Sequence, residues 1–133
     1  MKNIFLLGFL MILVLGCSDD DEILSPINSN NYRKIAYESL SLDDRESLTK
    51  CWCLAPVRFG EYSYTINENR INTIIIDDSN RWSFALIDEN IQLFSGQRLI
   101  AVIFNTDIDP VVGPIVTIIN PNTDEVIGYG LRH

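Results

Sequence analysis

The chain has 133 residues, with 10 Lys and Arg against 18 Asp and Glu, a formal charge of −8 at pH 7. That length suits a single domain. The acidic balance argues against nucleic acid as a partner, because that needs a basic face, and against electrostatic docking on anionic lipid.

The N-terminus reads MKNIFLLGFLMILVLGC. Lys2 gives a short basic start, and Ile4 to Leu15 is an apolar run broken only by Gly8. A membrane-spanning helix needs about twenty apolar residues. This run is shorter and has the length of a signal-peptide core, so residues 1–16 are read as a leader and set apart from the fold. It ends in Val14-Leu15-Gly16-Cys17 rather than in an A-x-A cleavage site. That ending resembles the lipobox of bacterial lipoproteins. The resemblance implies cleavage after Gly16 and lipidation of Cys17. Two or more acyl chains, at about 0.8 kcal/mol per buried methylene, make a stable anchor. Ser18, Asp19, Asp20, Asp21 and Glu22 follow directly. A Ser or Lys followed by several acids resembles the export signal of surface-exposed Bacteroidota lipoproteins. The implied location is the outer leaflet of the outer membrane, facing outward. The alternative is a periplasm-facing anchor, with the acids as a solvated tether.

Residues 17–31 are rich in Asp, Ser and Asn and contain Pro26, and read as a lipidated, acidic, flexible tether. The globular domain is then 32–133. Asn30 or Asn31 caps a first helix carrying Tyr32, Ile35, Ala36 and Leu40 on one face. Ser41-Leu42-Asp43-Asp44 fits a capping box and predicts a second short helix over 42–49.

From residue 51 the apolar period becomes two. Cys51, Cys53, Ala55, Val57 and Phe59 fall on one face, with Pro56 marking an edge or kink. Tyr62, Tyr64 and Ile66 alternate next. INTIIID is β-branched, Asp77-Asp78-Ser79-Asn80 is a turn, and RWSFALI points Trp82, Phe84 and Leu86 inward. RLIAVIF and PIVTII are apolar on both faces and predict covered, central strands. A last hairpin turns at 120–124 and returns with Ile127, Tyr129 and Leu131 on one face, while Gly128 and Gly130 signal a bulge or close backbone approach. The ending IINPNTDEVIG resembles, over its turn residues, the final hairpin of small secreted domains of the PepSY or cystatin-like type. No segment is long enough for the crossover helix that parallel strands require. The expected fold is α+β: one or two short N-terminal helices, then a six- or seven-stranded antiparallel sheet. The alternative is a mostly-β small sandwich or half-barrel.

Apart from Cys17, the cysteines are Cys51 and Cys53. In a strand their Cα atoms would stand about 6.7 Å apart, at the edge of disulfide geometry. The reading favours two buried thiols, with a bridge needing a bend. A zinc site wants four ligands, and no second cysteine pair or histidine cluster accompanies them. The one histidine, His133, is the last residue, where frayed ends seldom hold a catalytic group. Paired carboxylates among Glu61, Glu68, Asp77, Asp78, Asp88 and Glu89 would serve a glycosidase, but most sit in turn clusters. NTDIDP spaces Asn105, Asp107 and Asp109 like a calcium loop, but Pro110 and Val116 stand where such a loop needs Gly and Glu. No catalytic residue, cofactor or metal is assigned. Trp52, Tyr62 and Tyr64 make a candidate binding patch.

The expected function is therefore a lipid-anchored surface protein with a small non-enzymatic domain that binds an extracellular protein or glycan, or serves as an accessory subunit. The rival is an inhibitor or immunity-type protein, whose acidic surface would steer it to a basic enzyme or toxin. A small hydrolase is the third reading.

Overall fold

The computed structural model describes residues 26–66 and 70–132. The expected leader, Cys17 and the acidic run lie outside the described residues, as do Glu68 and His133. A helix α1 (Pro26–Ser39) and a short α2 (Leu42–Glu46) lead into a 3-10 turn (Trp52–Leu54). Six strands follow: β1 (Val57–Ile66), β2 (Arg70–Ile75), β3 (Arg81–Leu86), β4 (Arg98–Phe104), β5 (Ile115–Asn120) and β6 (Glu125–Gly130). A one-turn helix α3 (Asp109–Val112) joins β4 to β5. Among the described residues, no helix is long and apolar enough to cross a membrane.

Every strand pair is antiparallel, and the order β1-β2-β3-β6-β5-β4 closes into a barrel. The antiparallel sheet of the sequence reading is present, and curling has gone to closure. Strands β4, β5 and β6 follow one another, while β3 returns beside β6, a Greek-key order.

Closure splits the apolar residues into two layers. Tyr62, Ile74, Phe84, Leu99, Val116 and Ile118 fill the barrel interior. Outside, α1 lays Ala36 and Leu40 over Ile100, Val102, Phe104 and Ile119. This is why β4 and β5 read as apolar on both faces. One face looks into the barrel and the other is roofed by α1. A six-stranded barrel leaves little interior room, and glycines relieve it. A Cβ on Gly60 would stand 2.6 Å from Ile74 Cγ1, and one on Gly128 would run into the Ala85 carbonyl oxygen.

α1 begins inside the stretch expected to be tether, so 26–31 belong to the fold. Proline is favoured at a helix start, where its missing N–H is not needed. At the other end of α1 the carbonyls need partners. Arg45 supplies two, with Nε donating to Tyr37 O at 3.2 Å and Nη2 to Glu38 O at 2.8 Å. The Tyr129 hydroxyl donates to Ser39 O at 3.1 Å. Ser41 caps α2 as its sequence implies, accepting from Asp44 N at 3.2 Å, but the helix stops at Glu46.

The last hairpin departs from its expected phase. A register shift between Ile118 and Ile119 makes Ile127 an extra residue on β6. Ile127 therefore turns into the barrel while Tyr129 faces α1. The glycines correctly signalled a bulge. Strict alternation fails across it because a bulge adds one residue.

Candidate functional site

Strands β1, β3 and β5 begin, and β2, β4 and β6 end, at the same rim. The inward positions there are Arg58, Ile76, Trp82 and Ile103. Arg58 lies opposite Ala101, and Trp82 opposite Ile74, both of the barrel interior. With Pro56, Asp77 and Asn80 these residues line a cleft of about 470 Å³.

The rim is built by its own turns. Asp77 Oδ1 accepts from Asn80 N at 2.8 Å, Ser79 N at 2.9 Å and Asn80 Nδ2 at 3.1 Å. This is an Asp side chain closing its own turn. The Asn80 side chain first, then the Ser79 amide, lowers the Asp77 carboxyl below its ordinary value, against a small opposing effect of desolvation. On the β4–β5 connection, Asp109 accepts from Thr106 Oγ1 at 2.7 Å, Thr106 N at 2.9 Å and Asn105 Nδ2 at 2.9 Å. Burial pushes the Asp109 carboxyl up. Hydrogen bonds from Asn105 and Thr106, with the charge of Arg132 3.9 Å away, outweigh it and leave a net lowering. The NTDIDP segment is thus a loop organised around Asp109. Among the described residues, no group of three or more His, Cys, Asp or Glu side chains is placed to hold a metal.

Arg58 and Trp82 differ from these rim groups. Among the described residues, the side chain of neither makes a hydrogen bond or ion pair. The cleft is therefore lined by the exposed Arg58 and by Trp82, which also packs on the interior cluster, beside a carboxylate fixed by its turn.

The opposite end is filled. The β3–β4 connection, residues 87–97, folds across it and packs Ile91 and Leu93 on the interior cluster. Gly96 N donates to Tyr62 O and Tyr62 N to Gln97 O, both at 2.8 Å. The Tyr62 hydroxyl donates to Asn72 Oδ1 at 2.6 Å. Near this end, past the last β2–β3 pair of Asn72 and Phe84, a cleft of about 540 Å³ is lined by Ile71, Asn72, Phe84, Leu86, Glu89 and Ile91, three of them residues of the interior cluster.

The expected aromatic patch is not one surface. Tyr62 is 1% exposed inside the barrel. Tyr64 stacks on it at 6.1 Å and is 40% exposed. Trp52 stacks on Tyr37 at 5.5 Å in the outer layer. The tyrosines lie on the inner side of β1, whereas Trp52 precedes that strand on the helix side. The buried-thiol reading is also corrected. Cys51 and Cys53 are exposed and joined in a disulfide, with Cα atoms 5.2 Å apart. The 3-10 turn supplies the bend, closed by Leu54 N donating to Cys51 O at 3.0 Å. Of the carboxylates considered for hydrolysis, Asp77 and Asp88 accept backbone N–H groups in turns.

The sequence reading did not single out Arg58; it turned Trp82 inward, and Trp82 does pack on the interior cluster, at the mouth. A signal existed. Arg58 shares its alternation with Gly60, Tyr62 and Tyr64, so the inward face of β1 opens on a charge. A charge on an inward face belongs at a mouth, where water reaches it. Compared with known proteins, the chain matches no family model, no curated protein and no solved structure.

Proposed function

We propose that this protein is a bacterial outer-membrane lipoprotein, anchored through lipid on Cys17 and displayed at the cell surface, whose barrel is a binding module working through the Arg58–Trp82 mouth. Support for the anchor is the apolar run ending in Val14-Leu15-Gly16-Cys17, and for the address, Ser18 to Glu22. The observation that carries the binding half is that Arg58 and Trp82 both line one preformed cleft and that, among the described residues, neither side chain has a hydrogen-bond or ion-pair partner. Ligand sites are concave, largely preformed and carry a few placed polar groups among apolar walls. Here Ile76, Ile103 and Pro56 are the apolar walls.

Protease shaving of intact cells tests the address. Wild type is compared with a variant in which Asp19, Asp20, Asp21 and Glu22 are all alanine. Cleavage of wild type, with protection of a variant that is still lipidated, supports the reading. Protection of both overturns surface display and moves the module to the periplasm.

A further inference from the structure

We infer that the Arg58–Trp82 mouth binds a neutral saccharide, with a hexopyranose ring as the recognised unit. This deepens the binding reading of the same mouth and rests on it.

The chemistry of the walls selects the ligand class. Trp82 brings a broad apolar face with a polar N–H at its edge, a combination suited to a ligand that is wet on one side and apolar on the other. A pyranose is such a ligand, with C–H groups on its faces and hydroxyls around its edge. Arg58 offers a planar fork of donors that two neighbouring hydroxyl oxygens can share. Among the described residues, Asp77 Oδ2 takes only the Asn80 Nδ2 contact at 3.0 Å, so it can still accept from a hydroxyl. A hydroxyl donates and accepts at once, and this cleft offers both kinds of partner.

Singly charged and apolar ligands leave at least one wall group opposed. A carboxylate or phosphate would pair with Arg58 but face the Asp77 charge. A cation would suit Asp77 and the Trp82 ring but face Arg58. An apolar peptide side chain would strip water from both charges and pair neither, which costs several kcal/mol per buried ion. Arg58 and Asp77 cancel within the cleft, on a chain whose overall charge is −8. Neutral hydroxyls satisfy all three side chains together without setting a net ligand charge against either. The cleft, at about 470 Å³, falls within the roughly 300–1,000 Å³ of small-molecule sites.

The test uses the full-length lipidated chain in a detergent without a sugar headgroup. The chain has two tryptophans, so Trp52→Phe leaves Trp82 as the only indole reporter. Fluorescence is titrated with neutral hexasaccharides of glucose, mannose and galactose, and with uronic-acid hexasaccharides. The expected result is a saturable change with at least one neutral oligomer and none with the uronic acids. Arg58→Gln, at an exposed side chain that bonds to no described residue, should weaken that binding at least tenfold with an unchanged thermal midpoint. Three results overturn the inference: no saturable change with any neutral oligomer, binding that Arg58→Gln leaves intact, or preference for the ionised sugars. A flat titration on a protein that shaving still finds at the surface removes the saccharide and keeps the surface reading. Protection in the shaving experiment overturns that reading whatever the titration gives.

Discussion

The two ends of the barrel meet the same problem, a ring of six strand ends around an apolar interior, in opposite ways. At one end the 87–97 connection carries Ile91 and Leu93 onto the interior, and Gly96 and Gln97 bond to Tyr62 to hold it there. At the other end the connections 76–80 and 105–114 bond to themselves, to Arg132 and, at Asn105 and Asp107, to Thr49 and Ser47. Ile76 and Trp82 still pack on the interior cluster there, but the polar parts of these connections stand as a rim, and the exposed Arg58 remains reachable. A loop that spends its apolar residues on the core makes a floor. A loop that spends its polar residues on its own turn leaves a mouth.

Four perturbations break or sharpen that contrast. The largest effect should come from Gly128→Val, on the filled half of the β3–β6 seam, which has three residue pairs. The new side chain meets the Ala85 carbonyl, which cannot move without opening the seam. A loss above about 3 kcal/mol in urea denaturation is expected, and wild-type stability would mean the barrel does not close there. Next, Ile91→Ala removes half-buried apolar contact from the floor. It should cost about 1.5 kcal/mol, below the roughly 2–5 of fully buried positions, with Trp82 fluorescence unchanged because the mouth is at the far end. Tyr62→Phe deletes the hydroxyl that donates to Asn72 and should cost about 1 kcal/mol by the same denaturation measurement.

The smallest effect is acid sensitivity, and it belongs to the mouth. Asp77 and Asp109 both titrate below their ordinary 3.8. A carboxyl lowered on folding adds stability above its unfolded value and loses it as pH falls through its folded value. Acidification below 3.8 should therefore loosen 76–80 and 105–114 before it touches 87–97. Hydrogen-exchange protection factors compared at pH 6 and pH 3 check the order. Equal loss at both ends would remove the distinction between rim and floor.

Much of this was legible in the sequence. Apolar pattern on both faces of RLIAVIF and PIVTII announced strands covered twice, the turns at 77–80 and 120–124 were in place, and Ser41 capped its helix. Pattern alone did not reveal closure, because β1 pairs with β4 only in three dimensions and its two apolar phases serve two different layers. The phase beginning at Cys51 ran into a 3-10 turn before Val57, so a strand-like alternation there was accidental. Arg58 stayed hidden for a related reason. Its inward direction is set by Tyr62 and Gly60 further along β1, whereas Val57 and Phe59 beside it face the helix.

Because β1 and β4 pair, the sheet has no first or last strand. An open sheet offers unpaired N–H and C=O groups onto which a neighbour can zip. On the lipid anchor proposed at Cys17, molecules would be confined to a plane and meet far more often than in dilute solution. A ring of hydrogen bonds with no loose end lets such molecules crowd together without stitching into a fibre.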